Sequence, residues 1–232
     1  MSTSAGKSAD LLRVAATHPA CTVLGPGSRY VVWVQGCPLS CPGCVSPQWI
    51  PPDGGVPTSV RLLAEQVATH AVDGLTLSGG EPFAQAAALA RLVELVRERR
   101  DLSVLSYSGY TLRWLRRHGS PAQHRLLAQL DLLIDGRYRQ DLHADLRWRG
   151  SSNQRLHCLT DRHRDELAGP DGGVGLQFAV HAESVAWLGV PPVPRFRERF
   201  EAALGADVTS ESRLARTGVG TSHPPRASES GR

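Results

Sequence analysis

Short β-rich runs alternate with helical patterns along the first two thirds of this 232-residue chain, and each run closes on a loop of small or reactive residues. Tyr30–Gln35 (YVVWVQ) is the first predicted strand, ended by Gly36. Thr58 or Ser59 caps a predicted helix reaching about His70, with Val60, Leu63 and Val67 at helical spacing. Gly74–Leu77 is the second strand and runs into the loop Ser78-Gly79-Gly80-Glu81. Pro82 suits the first turn of a helix to Arg100, in which Leu89, Leu92, Val93 and Val96 share a face. Leu102–Tyr107 is the third strand, ended by Ser108-Gly109; short helices at 111–118 and 121–130 lead to a fourth, Asp131–Asp135. This order predicts an α/β fold with a parallel sheet. Such sheets bind ligands at the C-terminal ends of their strands. Gly36–Cys44, Ser78–Glu81, Tyr107–Tyr110 and Asp135–Arg137 all fall there, so the alternation already predicts one site.

The remainder divides into a loose leader at 1–13, a core at 14–164 and an extension at 165–204. In the extension, Gly175–Val180 and Val185–Val190 read as a hairpin and Arg195–Leu204 as an amphipathic helix. Residues 205–232 are Ser, Thr, Gly, Pro and Arg with few large apolar side chains, the composition of a disordered tail. With 41% hydrophobic and 21% charged residues, wholesale disorder is excluded. The net charge of +4 is too mild to imply nucleic acid without a focused patch. The aromatic–basic stretch Arg147–Arg155 is too short for one, and Asp141 and Asp145 flank it. Lysine occurs once, at Lys7, so a phosphate-binding GK[ST] loop, a Schiff-base lysine and a buried lysine base have no residue to use. No apolar run approaches the ~18 residues of a membrane span and no signal-peptide core opens the chain, which predicts a cytoplasmic protein with reduced thiols.

Cys37-Pro-Leu-Ser-Cys41-Pro-Gly-Cys44 places three thiols within eight residues. Three thiolates can hold three corners of a [4Fe–4S] cube and leave the fourth iron open to substrate. Prolines after Cys37 and Cys41 pin φ, and Gly43 lets the chain wrap closely. Two rivals stand beside this reading: structural zinc, completed by Cys21 or a distant His, and a dithiol at Cys41-Pro-Gly-Cys44, which the extra Cys37 disfavours. Cys21 and Cys158 read as small buried residues, and the nine His lack ligand spacing.

Six ordered segments between about residues 20 and 160 carry a resemblance to a known family. They are Leu24-Gly-Pro-Gly-Ser-Arg-Tyr30, the three-cysteine loop, Leu77-Ser-Gly-Gly-Glu-Pro82, Tyr107-Ser-Gly-Tyr110, Asp135–Leu142 and Trp148–Gln154. Together they resemble the glycyl-radical-enzyme activases of the radical S-adenosylmethionine (SAM) superfamily, the group serving anaerobic ribonucleotide reductase. The resemblance implies a compact incomplete (β/α) barrel, here with a C-terminal hairpin and helix added. It implies that Cys37, Cys41 and Cys44 bind a [4Fe–4S] cluster whose free iron chelates SAM. One electron then cleaves SAM to methionine and a 5′-deoxyadenosyl radical, which takes a hydrogen from a glycine of a partner glycyl radical enzyme. By the same resemblance Gly43 and Val45 contact SAM through their backbone, Gly79 and Gly80 approach its amino group, and Glu81 orients that loop. Tyr107, Ser108 and Gly109 meet the nucleoside, and no catalytic side chain is implied beyond the cluster and SAM site. Asp135 and Arg137 fall on a cofactor-binding Asp-x-Lys pair of a related activase, with Arg in place of Lys; a structural ion pair is the alternative there. A reduced flavodoxin-like donor is implied as the electron source.

The chain runs about 70 residues past the shared region, and Leu176, Phe178, Trp187 and Leu188 point to a folded addition that covers the substrate opening or binds a partner. Two other functions compete: the same chemistry on a small molecule or peptide, and a non-enzymatic iron–sulfur carrier or zinc-binding module.

Overall fold

The computed structural model describes residues 9–181 and 184–204; the expected tail at 205–232 and the first eight residues of the expected leader lie outside them. Its centre is a seven-stranded sheet in the order β3-β1-β2-β4-β5-β6-β9. The strands are β1 (Leu11–Cys21), β2 (Arg29–Val34), β3 (Val56–Ser59), β4 (Gly74–Gly79), β5 (Ser103–Ser108), β6 (Leu132–Asp135) and β9 (Arg155–Cys158). β2, β4, β5 and β6 are parallel, as the helix–strand alternation requires. The sheet as a whole is mixed, because β1, β3 and β9 pair antiparallel at its two sides.

No strand is predicted before Tyr30, yet β1 runs eleven residues and starts at Leu11, inside the expected leader. Its pairing with β2 shifts register between Val14 and Ala16 and again between His18 and Cys21. Those irregularities break the period-two pattern by which a strand is read. Leu12 is nonetheless fully buried, so the ordered core reaches further toward the N-terminus than composition implies.

Four helices lie between the parallel strands: α1 (Val60–Thr69), α2 (Ala86–Arg97), α3 (Leu112–His118) and α4 (Pro121–Leu127). A 3-10 turn at Pro82–Gln85 leads into α2, so the predicted helix from Pro82 starts in a tighter winding. Strand alternation sorts the core. Tyr30, Val32 and Val34 of β2 join Leu75, Leu77, Val104 and Leu133 in one cluster with the apolar stripes of α1 and α2. Val31 and Trp33 face the other way, with Ala16, Cys21 and Trp49. Two small ladders complete the described residues, β7 (His143–Leu146) with β8 (Arg149–Ser151) and β10 (Leu176–His181) with β11 (Ser184–Gly189), followed by α5 (Phe196–Leu204). Leu188 of β11, fully buried, joins Trp33 and Trp49 on the sheet face away from α1 and α2. No helix among the described residues is long and apolar enough to cross a membrane.

One buried cation braces the frame. Arg29, fully buried, donates from Nε to Thr76 Oγ1 (2.6 Å), from Nη1 to Pro26 O and Ser103 Oγ, and from Nη2 to Leu75 O and Ser103 O. Burial lowers its pKa to about 10. A Cβ on Gly25 or Gly74 would stand 2.4 or 2.2 Å from its side chain. The glycines and arginine of the Gly25-Pro-Gly-Ser-Arg29 segment therefore form a packing unit that ties the loop before β2 to β4 and β5.

Candidate functional site

The four parallel strands end side by side, and the loops leaving them surround a cavity of about 600 Å³. After β2, Gly36 turns with φ +94°, and its N–H donates to Trp49 O (2.8 Å) while Cys37 N donates to Ile50 O (3.0 Å). These two bonds close residues 37–50 into a loop at its neck. Gln35 reinforces the neck from its side chain, donating to Gln48 O (3.1 Å) and Pro51 O (2.7 Å). Trp49, 2% exposed, anchors the far side against Trp33 with ring centroids 5.8 Å apart. Within the loop, Ser40 and Gly43 take left-handed φ values of +45° and +72°, and Cys44 N donates to Cys41 O. All three cysteines are half-buried and line the cavity, beside Gly43 and Val45.

The loop after β4 sits directly against this neck. Gly80 N donates to Val34 O (2.7 Å) and Glu81 N to Gly36 O (2.9 Å). A Cβ on Gly79 would lie 2.5 Å from Val34 N, and one on Gly80 2.3 Å from Gly36 O. Both glycines are thus required by the backbone they pack on, a reason the motif alone does not reveal.

Glu81 then joins this loop to the next one. It is 1% exposed; Oε1 accepts from Phe83 N (2.9 Å) and Ser108 Oγ (3.0 Å), and Oε2 accepts from Gly109 N (2.8 Å). Burial outweighs these donors and pushes its carboxyl up to about 7. Tyr107, Ser108 and Gly109 all line the cavity at the end of β5. The Tyr107 hydroxyl donates to Trp148 O (3.0 Å), and burial raises its pKa.

Asp135 is different. Arg137 lines the cavity, whereas Asp135 does not. The Asp135 carboxylate, 3% exposed, accepts from Leu112 N at the start of α3 and stands 3.0 Å from His157 Nε2. The ion-pair alternative to Arg137 finds no such pair; the partner is a histidine on β9.

The segment Arg149–Gln154, unexplained by its sequence, positions the turn after β6. Asn153 Nδ2 donates to Arg137 O (2.8 Å) and Gln154 Nε2 to Gly136 O (3.1 Å). Gln154 Oε1 meanwhile accepts from the N–H groups of Gly150 and Ser151. Two amide side chains on a loop before a strand gave no pattern to read; their meaning lies in which carbonyls they reach.

The donor set fits an iron–sulfur cluster. Burial raises the Cys41 and Cys44 thiols, and each also meets a cation that pulls it down, Arg137 for Cys41 and Arg197 for Cys44. A group that binds thiolates therefore finds counter-charge in place. Among the described residues no three His, Cys, Asp or Glu side chains close on one ion position. A cube takes each thiolate on a different iron, so the three sulfurs need only share a cavity wall.

Comparison with known proteins points the same way. The family model described as "4Fe-4S single cluster domain" matches residues 23–157. A protein of Enterobacteria phage T4 named anaerobic ribonucleoside-triphosphate reductase-activating protein is 33% identical over 150 residues, covering 62% of this chain and 92% of its own length. The chain belongs to this family of activating proteins. The family's proteins of the same name in Vibrio cholerae and Escherichia coli K12 are 36% and 32% identical, each across 96% of its own length and 62% and 61% of this chain. The glycyl-radical-activating resemblance is thereby shown, and the cluster loop, the glycine loop after β4 and the turn after β6 all fall inside the matched span. Residues from Cys158 onward lie beyond the family match, although several of them line the same cavity.

Proposed function

We propose that this iron–sulfur activating enzyme is a radical SAM activase that takes a hydrogen atom from a glycine of an anaerobic ribonucleotide reductase. One observation carries the reading. The three thiols of a single loop and the glycine-rich ends of β4 and β5 share one cavity at the C-terminal edge of the parallel strands. When bound, the reduced cluster supplies one electron to the S–C5′ bond of SAM, releasing methionine and the 5′-deoxyadenosyl radical that abstracts hydrogen.

The chain's own residues bind, orient and shield. Cys37, Cys41 and Cys44 hold the cluster. Gly79 and Gly80 keep the β4 loop tight on the neck of the cysteine loop, leaving backbone rather than side chain facing the SAM amino group. Glu81 fixes that loop to Ser108 and Gly109, which flank the nucleoside with Tyr107. Arg137, held by Asn153, supplies a cation across the cavity, while Asp135 acts indirectly by fixing the start of α3. On this reading the sheet is the incomplete barrel of the superfamily, the protein works in the cytoplasm, and a flavodoxin-like donor supplies the electron. A second reading, direct action on a small molecule or peptide, is favoured by the enclosure that Trp187 and Phe196 add to the cavity.

The test is anaerobic reconstitution with iron and sulfide, followed by dithionite and SAM and quantification of 5′-deoxyadenosine. Release by the wild-type protein and none by Cys41→Ala is the expected result. A fully loaded [4Fe–4S] protein that cleaves no SAM overturns the proposal, and a preparation that takes up only zinc removes its cofactor. Strict dependence of a glycyl radical signal on added reductase separates the first reading from the second.

A further inference from the structure

The segment beyond the family match is built into the site. Leu188 is fully buried against Trp33 and Trp49, and Gln177 bonds Thr22 N and Ala20 O (2.9 Å each) across to β1. From that anchor an aromatic chain runs outward. Trp187 meets Phe196 edge-on at 5.3 Å, and Phe196 stacks on Phe200 at 5.4 Å. These contacts fix the first turn of α5 over the cysteine loop. The next residue, Arg197, half-buried, lines the cavity and donates from Nη2 to Val45 O at 2.9 Å, the carbonyl directly after Cys44.

We propose that Arg197 is a positioning residue for the cluster, holding the end of the cysteine loop and raising the potential at which the cluster accepts its electron. The inference rests on the cluster reading above. Taking one electron from a low-potential one-electron donor adds one negative charge to the cluster and changes no covalent bond. A guanidinium held beside the last ligand therefore stabilises the reduced form more than the oxidised one. Arg137 provides one such cation from within the matched span; Arg197 is a second, supplied by a segment outside it. Glu198, the neighbouring acid, also lines the cavity, but its charge is paired with that of Arg195.

The experiment is a redox titration of the reconstituted full-length protein, with the reduced cluster followed by electron paramagnetic resonance. Arg197→Gln keeps an amide donor for Val45 O but no charge; Arg197→Lys keeps the charge; Arg199→Gln removes an exposed charge two residues on. At the wild-type midpoint, Arg197→Gln is expected to lower the ratio of reduced to oxidised cluster about tenfold, a shift of about 59 mV for one electron. Arg197→Lys and Arg199→Gln are expected to titrate with the wild type. The midpoint is read from clusters that have assembled, so partial loading of a variant leaves it measurable. An unchanged midpoint in Arg197→Gln overturns the proposal, as do equal shifts in Arg197→Gln and Arg197→Lys, or in Arg197→Gln and Arg199→Gln. If the wild-type protein assembles no [4Fe–4S] cluster, the functional reading falls first and this inference with it. A cluster that assembles but ignores residue 197 refutes the inference alone.

Discussion

Replacing Glu81 by Gln changes one atom and tests the electrostatics of the whole strand-end arrangement. In the folded protein this carboxyl titrates at about 7, against an ordinary value of 4.5, because burial costs the charged form more than its three donors return. The sign follows from proton counting. Between about pH 4.5 and 7 the folded state holds a proton that the unfolded chain has released, so this group's contribution to stability falls as pH rises through that window. From about pH 8 down to about pH 5 the gain is about 2–3 kcal/mol. Glu81→Gln has no such titration. It also sets an NH₂ group against one of the donors now satisfied by Oε1 or Oε2, a buried mismatch of about 1–3 kcal/mol. The assay is denaturant unfolding of the apo protein and the variant at several pH values, comparing differences so that other carboxylates cancel. The stability difference, wild type minus variant, is expected to move in favour of the wild type by about 2–3 kcal/mol from about pH 8 down to about pH 5. A difference that stays flat between about pH 5 and 8, or moves the other way, would refute the reasoning.

Three further outcomes are expected. Arg29→Met removes five hydrogen bonds from a fully buried site and should cost about 3–5 kcal/mol, lowering the urea midpoint without changing the slope; a loss under about 1 kcal/mol contradicts the bracing role. Gln154→Ala releases Gly136 O and two backbone N–H groups, so stability should drop by about 1–3 kcal/mol, and hydrogen exchange should quicken at Gly150 and Ser151 but stay unchanged in α1. Because burial raises the Cys41 and Cys44 thiols, alkylation of the apo protein near neutral pH should be slower there than for free cysteine, and rise steeply toward alkaline pH. Peptide mapping after timed iodoacetamide labelling reads this directly, and reaction at the free-cysteine rate counts against it.

The parallel strands and their helices were legible because each carries its own period and its own stop. β2, β4 and β5 stop at Val34, Gly79 and Ser108, each within two residues of the expected stop, and twelve of the thirteen expected site residues line one cavity. Asp135 escaped the reading because a strand-end acid looks the same whether it faces a ligand or fixes the next helix; only its contact with Leu112 N distinguishes them. β1 escaped because its register shifts hide the alternation. The amides Asn153 and Gln154 were illegible for a third reason: a side chain whose work is to hold distant carbonyls leaves no local pattern.

The order of synthesis gives the wall at Trp187–Arg197 a temporal meaning. About 150 residues separate Cys44 from Arg197. At ~5–20 residues per second a ribosome needs about 8–30 s to make them. Throughout that interval the nascent cysteine loop has no α5 over it. After release the same loop is walled in on that side. The side wall of the cavity is thus the last of its described parts to be made.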